Sequence, residues 1–439
     1  MDELSKKKYL KYKQKYLQLK NQLGGLATLQ NHQKGVSSVA FHPTALLLAT
    51  GSEDKTVKLL CMRPDYLLAT CVKTLTFSGI VRSVAFHPTA SLLAIGIDAS
   101  VQLWQLSFDN SSATWSAIYV TTLMGHTSDV SSVVFHPTAP LLATCSQDKT
   151  AKLWRLSSNN SSATCVATLE GHSEYVRSVA FHPTAPLLAT CSNDKTAKLW
   201  HFNPDGSKDD NMSATCVATL AGHSGYVSCV TFHPTTSLLV TGSGDKTAKL
   251  WNFLPDGSTA TCVATLAGHS QSVSSVAFHP TTFLLATGSY DKTSKLWYLS
   301  SDIHKVTCVT TLVNHLGMIN SVAFHPTAPI LATGSDDKTV KLWQERSNIK
   351  SESEFIINNL KNCAKYLQKK YIEFNNSLIN KNIEQPDIDK LVEIIKVVKT
   401  KEFWEKQDEC SKTKKELLTN LNNVKTRLEV NKRNVIISW

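Results

Sequence analysis

The chain has 439 residues, too many for one ordinary core, and a composition with 42% hydrophobic and 18% charged residues, which is that of a folded soluble protein. No apolar run approaches the ~18 residues that a membrane-spanning helix needs. The net charge of +11 is unevenly placed: residues 26–344 hold 20 basic and 19 acidic side chains, residues 1–25 hold 7 and 2, and residues 345–439 hold 19 and 14.

Residues 4–23 carry Tyr9, Tyr12, Tyr16, Leu19 and Leu23 at alternating three- and four-residue spacing, ahead of Gly24-Gly25. This predicts a short amphipathic helix with a glycine stop. The lysine-rich start has no apolar h-region and is not a secretory signal. The string KYLKYKQKYLQLKNQLGG resembles a leader shared by proteins of giant nucleocytoplasmic DNA viruses. That resemblance implies an origin, and with it the cytoplasm of an infected host cell or the virion as location. It implies no chemistry.

From residue 26 the chain is periodic. FHPT begins at Phe41, Phe86, Phe135, Phe181, Phe232, Phe278 and Phe324, at intervals of 45, 49, 46, 51, 46 and 46 residues. Around each copy recur GH, VSSVAF, HPT, LLATGS, DKTAKLW and TCVATL, or close variants. VSSVAF alternates polar and apolar residues, LLATGS is a buried run, and TAKLW and CVATL are β-prone, so each unit supplies four short strands. The links between them are turn chemistry. Four-stranded units of this period suit β-propeller blades, each burying its faces against two neighbours. The seventh unit lacks TCVATL after Trp343, and LATLQNH at 26–32 precedes the first, so an N-terminal strand is expected to close the ring.

These motifs resemble the WD-repeat family over residues 26–344, although no tryptophan is followed by aspartate. The resemblance implies a mainly-β, seven-bladed propeller. It also implies a structural tetrad in each full blade: His126, Thr144, Asp148 and Trp154; His172, Thr190, Asp194 and Trp200; His223, Thr241, Asp245 and Trp251; His269, Thr287, Asp291 and Trp297; His315, Thr333, Asp337 and Trp343. A nucleophile–histidine–aspartate centre needs one such set facing solvent, and five near-identical sets around a ring do not suit that requirement. No catalytic residue, metal or cofactor is expected. GSGDKT at 242–247 is a blade turn, because Asp245 would repel phosphate. The seven HPT histidines are read as strand ends beside a proline, with a metal ring as the alternative. Blade 1 has Leu60 in place of tryptophan, and blade 2 has Ile95 in place of threonine and no histidine. Both should lack part of the tetrad.

If repeats hold the ring, function should lie where they differ. The resemblance directs partners to the face carrying the loops from strand d to strand a and from strand b to strand c. Variable positions there include Tyr175, Arg177, Tyr226 and Tyr290, and tyrosine and arginine are frequent hot-spot residues. Ile97 is read as the equivalent of Gln147 in this set. Among eleven cysteines, Cys165, Cys216, Cys262 and Cys308 recur in TCV as small apolar fillers, in a reducing compartment without a CxxC zinc pair.

Beyond residue 345 apolar stripes predict helices through Ile356–Leu378, from Pro386, and through Leu417–Leu428 with coiled-coil spacing, giving a helical domain over 345–439 suited to self-association. The functional expectation is a non-enzymatic protein–protein interaction scaffold. Nucleic-acid association through the basic flanks, and a substrate receptor of a ubiquitin ligase, are the alternatives.

Overall fold

The computed structural model describes residues 23–30, 32–63, 68–109, 114–203, 212–299 and 306–345. The leader helix and the C-terminal helices lie outside these residues. Among the described residues there are 28 strands in seven four-stranded antiparallel sheets. Six sheets are built from consecutive strands, here a to d. Blade 4 is typical, with Val176–Phe181, Leu187–Ser192, Ala197–Phe202 and Ala214–Leu220. In blade 7 the fourth strand is Leu23–Gln30, paired antiparallel with Thr339–Glu345.

That closing strand starts earlier than the sequence suggested. Leu23, Gly24 and Gly25 pair with Glu345, Gln344 and Trp343 and so belong to the sheet, not to a helix stop. The pairing supplies donors and acceptors to an edge that would otherwise stay open. Lys341 Nζ also donates to Thr28 Oγ1 at 3.1 Å across the seam.

Strand b is buried at nearly every position in every blade, because it is covered on both faces by neighbouring sheets. The core is accordingly divided into seven apolar clusters, each shared between two consecutive blades. Blades 4 and 5, for instance, share Leu187, Ala189, Leu199, Val227, Leu239 and Trp251. Polar contacts run round the ring as well. Serines on strand a accept the backbone N–H of the next blade's strand a: Ser38 from Val84, Ser83 from Val133, Ser178 from Val230, Ser275 from Val322, and Ser321 from Val39 across the seam.

The HPT histidines form a second ring. Each packs edge-on against the strand-a phenylalanine of the following blade, at 4.8–5.1 Å between ring centroids, from His42–Phe86 round to His325–Phe41. In each, Nδ1 accepts at least one backbone N–H of its own turn, as His42 does from Thr44 and Ala45. The Nδ1 lone pairs are thus occupied by amides, which disfavours the metal alternative. Among the described residues no cluster of potential metal ligands occurs.

Two β-bulges recur in every blade. One lies in strand d, where a single residue such as Val166 is inserted opposite Leu153–Trp154. It reverses the alternation of TCVATL, so Cys165, Cys216, Cys262 and Cys308 are exposed and are not the apolar fillers expected. Cys145, Cys191 and Cys229 are the buried ones, and burial pushes the Cys229 thiol up to about 12. The nine described cysteines are free thiols.

Candidate interaction face and its supports

The second bulge lies at the start of each strand a, between residues such as Val176 and Ser178. The inserted residues are Ser37, Arg82, Ser131, Arg177, Ser228, Ser274 and Asn320, the positions at which the repeats differ. A bulge unpairs one residue and redirects its side chain. Here it turns sequence variation toward the neighbouring blade and the loop face. Ser37, Ser228 and Ser274 donate to the carbonyls of Val81, Val273 and Ile319 in the next blade, and Asn320 Nδ2 donates to Val36 O at 3.1 Å. Arg82 pairs with Asp129 of blade 3 at 2.6 Å.

Beneath this face lies the tetrad network. In blade 4, Trp200 Nε1–H donates to Thr190 Oγ1 at 2.8 Å, Thr190 meets His172 Nε2 at 2.8 Å, and His172 Nδ1 meets Asp194 Oδ2 at 2.7 Å. The threonine has one proton and the carboxylate only accepts. The chain of donors therefore runs from tryptophan to aspartate through a neutral imidazole protonated on Nδ1. Burial lowers the His172 pKa, and Asp194 only partly offsets it. Burial alone would raise the Asp194 pKa, but hydrogen bonds from Thr196 and His172 outweigh it. Blades 3, 5, 6 and 7 repeat these bonds within 0.1 Å. The threonine is fully buried in each, out of reach of any substrate.

The network extends past four residues. Thr196 donates its hydroxyl and its N–H to Asp194 Oδ1, Ser192 Oγ accepts the Asp194 N–H, and that serine donates to Glu174 O. The following lysines, Lys55, Lys149, Lys195, Lys246, Lys292 and Lys338, adopt left-handed φ of 68–74°. Blade 1 keeps three members that the sequence reading missed: His32 lies 2.7 Å from Thr50 and 3.0 Å from Asp54. Their separations of 18 and 22 residues match the other blades and could have revealed them. Only the indole is lost, to a fully buried Leu60.

Blade 2 is rebuilt instead of incomplete. Phe77 takes the histidine position and packs edge-on against Trp104 at 5.9 Å, next to a fully buried Ile95. The Trp104 indole donates to Gln102 at 3.2 Å. The turn from strand b to strand c is one residue shorter, so Ile97 pairs with Val81 as Ser146 does with Val130. Ile97 is therefore 3% exposed in the core and not a face residue equivalent to Gln147.

Over blades 4 to 6 the face residues converge. The Arg177 guanidinium lies 4.9 Å above the Tyr226 ring, and its Nε donates to Asn193. Tyr226 OH donates to Ser272 at 3.0 Å. Gly244 makes room for that ring, because a Cβ there would stand 2.6 Å from Tyr226 Cε1. Tyr290 is partly buried; burial pushes its phenol pKa up, Tyr226 reinforces that, and Arg177 opposes it. Tyr175 is 42% exposed beside them, its carbonyl accepting the Asn193 N–H at 2.9 Å. Asn193 and Gly244 hold the variable position before the turn aspartate, where the sequence marks a face residue, but neither is a tyrosine or arginine and neither was chosen as a hot-spot residue.

The family model described as WD domain, G-beta repeat matches residues 25–59, 69–105, 118–155, 163–201, 214–252, 260–298 and 306–344. The chain belongs to the WD40 repeat family. Each matched WD40 segment holds the outer strand of one blade and three strands of the next, the offset that lets Leu23–Gln30 complete blade 7. Similar proteins include human striatin-3, 28% identical over 144 residues (29% of this chain, 17% of striatin-3). The nuclear distribution protein PAC1 of Arthroderma otae is 31% identical over 281 residues, covering 52% of this chain and 61% of that protein. The nuclear distribution protein nudF of Aspergillus niger is 30% identical over 252 residues, or 51% of each chain. The chain thus spans less than two thirds of the length of these relatives.

Proposed function

We propose that this WD40 propeller is a non-enzymatic scaffold that binds a protein partner on the loop face, centred on blades 4 to 6. The observation that carries the reading is the assembly of Arg177, Tyr226 and Ser272 from three consecutive blades, with Tyr226 seated over Gly244. Aromatic and guanidinium groups held rigid before binding lose little conformational freedom on association and suit a hot spot. The tetrads are supports: they fix the loops from which these side chains project.

The test compares capture of proteins from cell lysate by the full chain and by the Tyr175→Ala/Arg177→Ala/Tyr226→Ala variant, once circular dichroism shows both folded. Loss of a defined protein with the variant supports the proposal, and identical captured sets reject it. Gly244→Ala provides a finer probe, because it displaces the Tyr226 ring without removing a binding group.

A further inference from the structure

Two arginines occupy the bulge at the start of strand a, Arg82 in blade 2 and Arg177 in blade 4, and they meet different neighbours. Arg82 donates to Asp129 of blade 3 through Nε at 3.0 Å and Nη2 at 2.6 Å. Asp129 immediately precedes Val130, the first residue of strand a in blade 3, and Tyr226 holds that place before Val227 in blade 5. The same arginine thus meets a carboxylate at one blade junction and an aromatic ring at another.

At the second junction the guanidinium is held but not neutralised. Its carbon lies 4.9 Å from the centre of the Tyr226 ring, and Nε donates to Asn193 Oδ1. The ring is itself fixed through the Tyr226 hydroxyl on Ser272 at 3.0 Å. Among the described residues no carboxylate pairs with Arg177, and Nη1 and Nη2 have no acceptor. Glu174, in the loop just before it, pairs with Lys149 at 3.7 Å. Arg177 is exposed, so both Nη groups are within a partner's reach. A guanidinium anchored at Nε and stacked on a ring still offers a planar pair of donors that matches the two oxygens of a carboxylate.

We infer that the protein partner presents an aspartate or glutamate side chain to Arg177, whose two Nη groups donate to its carboxylate as a bidentate pair. This rests on the reading of blades 4 to 6 as the docking surface and names the chemistry that surface selects. A carboxylate suits the site better than a phosphate. The converging side chains include one cation, whereas a phosphorylated residue carries about −1.5 to −2 charges, and Asp336 is close enough to act on Tyr290 beside Arg177.

The probe is a library of random-sequence peptides displayed on phage. It is selected on the full chain and counter-selected on the Tyr175→Ala/Arg177→Ala/Tyr226→Ala variant. The selected sequences are expected to share an aspartate or glutamate. In the synthetic peptide, changing that residue to its amide should weaken binding about tenfold to the full chain but less than about twofold to Arg177→Gln. Tyr226→Asp copies the blade 3 residue into blade 5 and gives Arg177 an internal partner. It should weaken binding at least about fivefold more than Tyr226→Asn, which removes the ring without adding charge. Equal binding of the acid and amide peptides overturns the inference and leaves the docking surface standing. So does an equal loss with the amide in Arg177→Gln, equal binding by Tyr226→Asp and Tyr226→Asn, or tighter binding with phosphoserine at the acidic position. Selection of no peptide whose binding is lost in the triple variant rejects the inference and the docking surface together.

Discussion

Blades 2 and 4 have the same strand order and occupy equivalent positions in the ring, yet they are braced by opposite chemistries. Blade 4 uses a buried polar relay from Trp200 to Asp194, whereas blade 2 uses an apolar stack of Phe77, Trp104 and Ile95. The sheet topology is therefore not owed to the tetrad. What the tetrad adds is a carboxylate that ties the two face loops together: Asp194 accepts from Ser173 N, His172, Thr196 N and Thr196 Oγ1. Blade 2 has no such knot.

The largest expected difference between the two is acid sensitivity. Thirteen histidines have pKa values lowered by burial, and blade 2 contributes only His87, against two each from blades 3 to 7. These rings are neutral when folded but bind protons near pH 6.5 when unfolded. Stability is therefore fully present above about pH 6.5 and falls as pH drops below it. A second loss follows below about pH 3.8, as carboxylates such as Asp54 and Asp337, held at about 2, become protonated. Between pH 7.5 and 5.5, amide protection factors, which correct for the intrinsic exchange rate at each pH, should fall far more in blade 4 than in blade 2; an equal fall would contradict the assignment of neutral rings.

Removing the carboxylate should come next in size. Asp194→Ala leaves three buried or half-buried donors unpaired, His172 Nδ1 and the N–H and hydroxyl of Thr196, and should lower stability by about 3–5 kcal/mol, against within ~1 kcal/mol for Asp98→Ala in blade 2, as read from urea midpoints. A more moderate effect is expected from transplanting the blade 2 solution. His172→Phe and Thr190→Ile should each cost about 2–3 kcal/mol alone, because each strands a polar neighbour, but the double variant should cost at least ~1 kcal/mol less than their sum. Strict additivity would mean that the two blades do not represent alternative braces. The smallest change is Lys195→Gly. It relieves a left-handed φ of 69° and should raise stability by up to ~1 kcal/mol.

The ring, its seven blades and its closing strand were legible because FHPT and its flanks repeat in register, whereas the tetrad residues were named only through the resemblance to WD repeats. The features that escaped were those where local register shifts. Blade 2 deletes one turn residue, which moved Ile97 from the face to the core, and TFSG gives no sign that Phe77 stands in for histidine. Cys165 looked like a filler because strand alternation assumes no insertion, and the Val166 bulge breaks that assumption. The face cluster was half visible. Tyr175, Arg177, Tyr226 and Tyr290 differ from their counterparts in other repeats, but that Tyr226 lies beneath Arg177 depends on two blades meeting, which no single repeat encodes.

The seam between Leu23–Gln30 and Thr339–Glu345 sets an order of events during synthesis. Thr28 must wait for Lys341, made 313 residues later, and at about 5–20 residues per second that delay is on the order of tens of seconds. For that interval the early blades stand as an open arc, with the inner face of blade 1 uncovered. The clasp therefore acts as a timer: the ring can shut only after all seven blades have been made, and a nascent chain stalled in its last blade would present an unclosed end to chaperones and proteases.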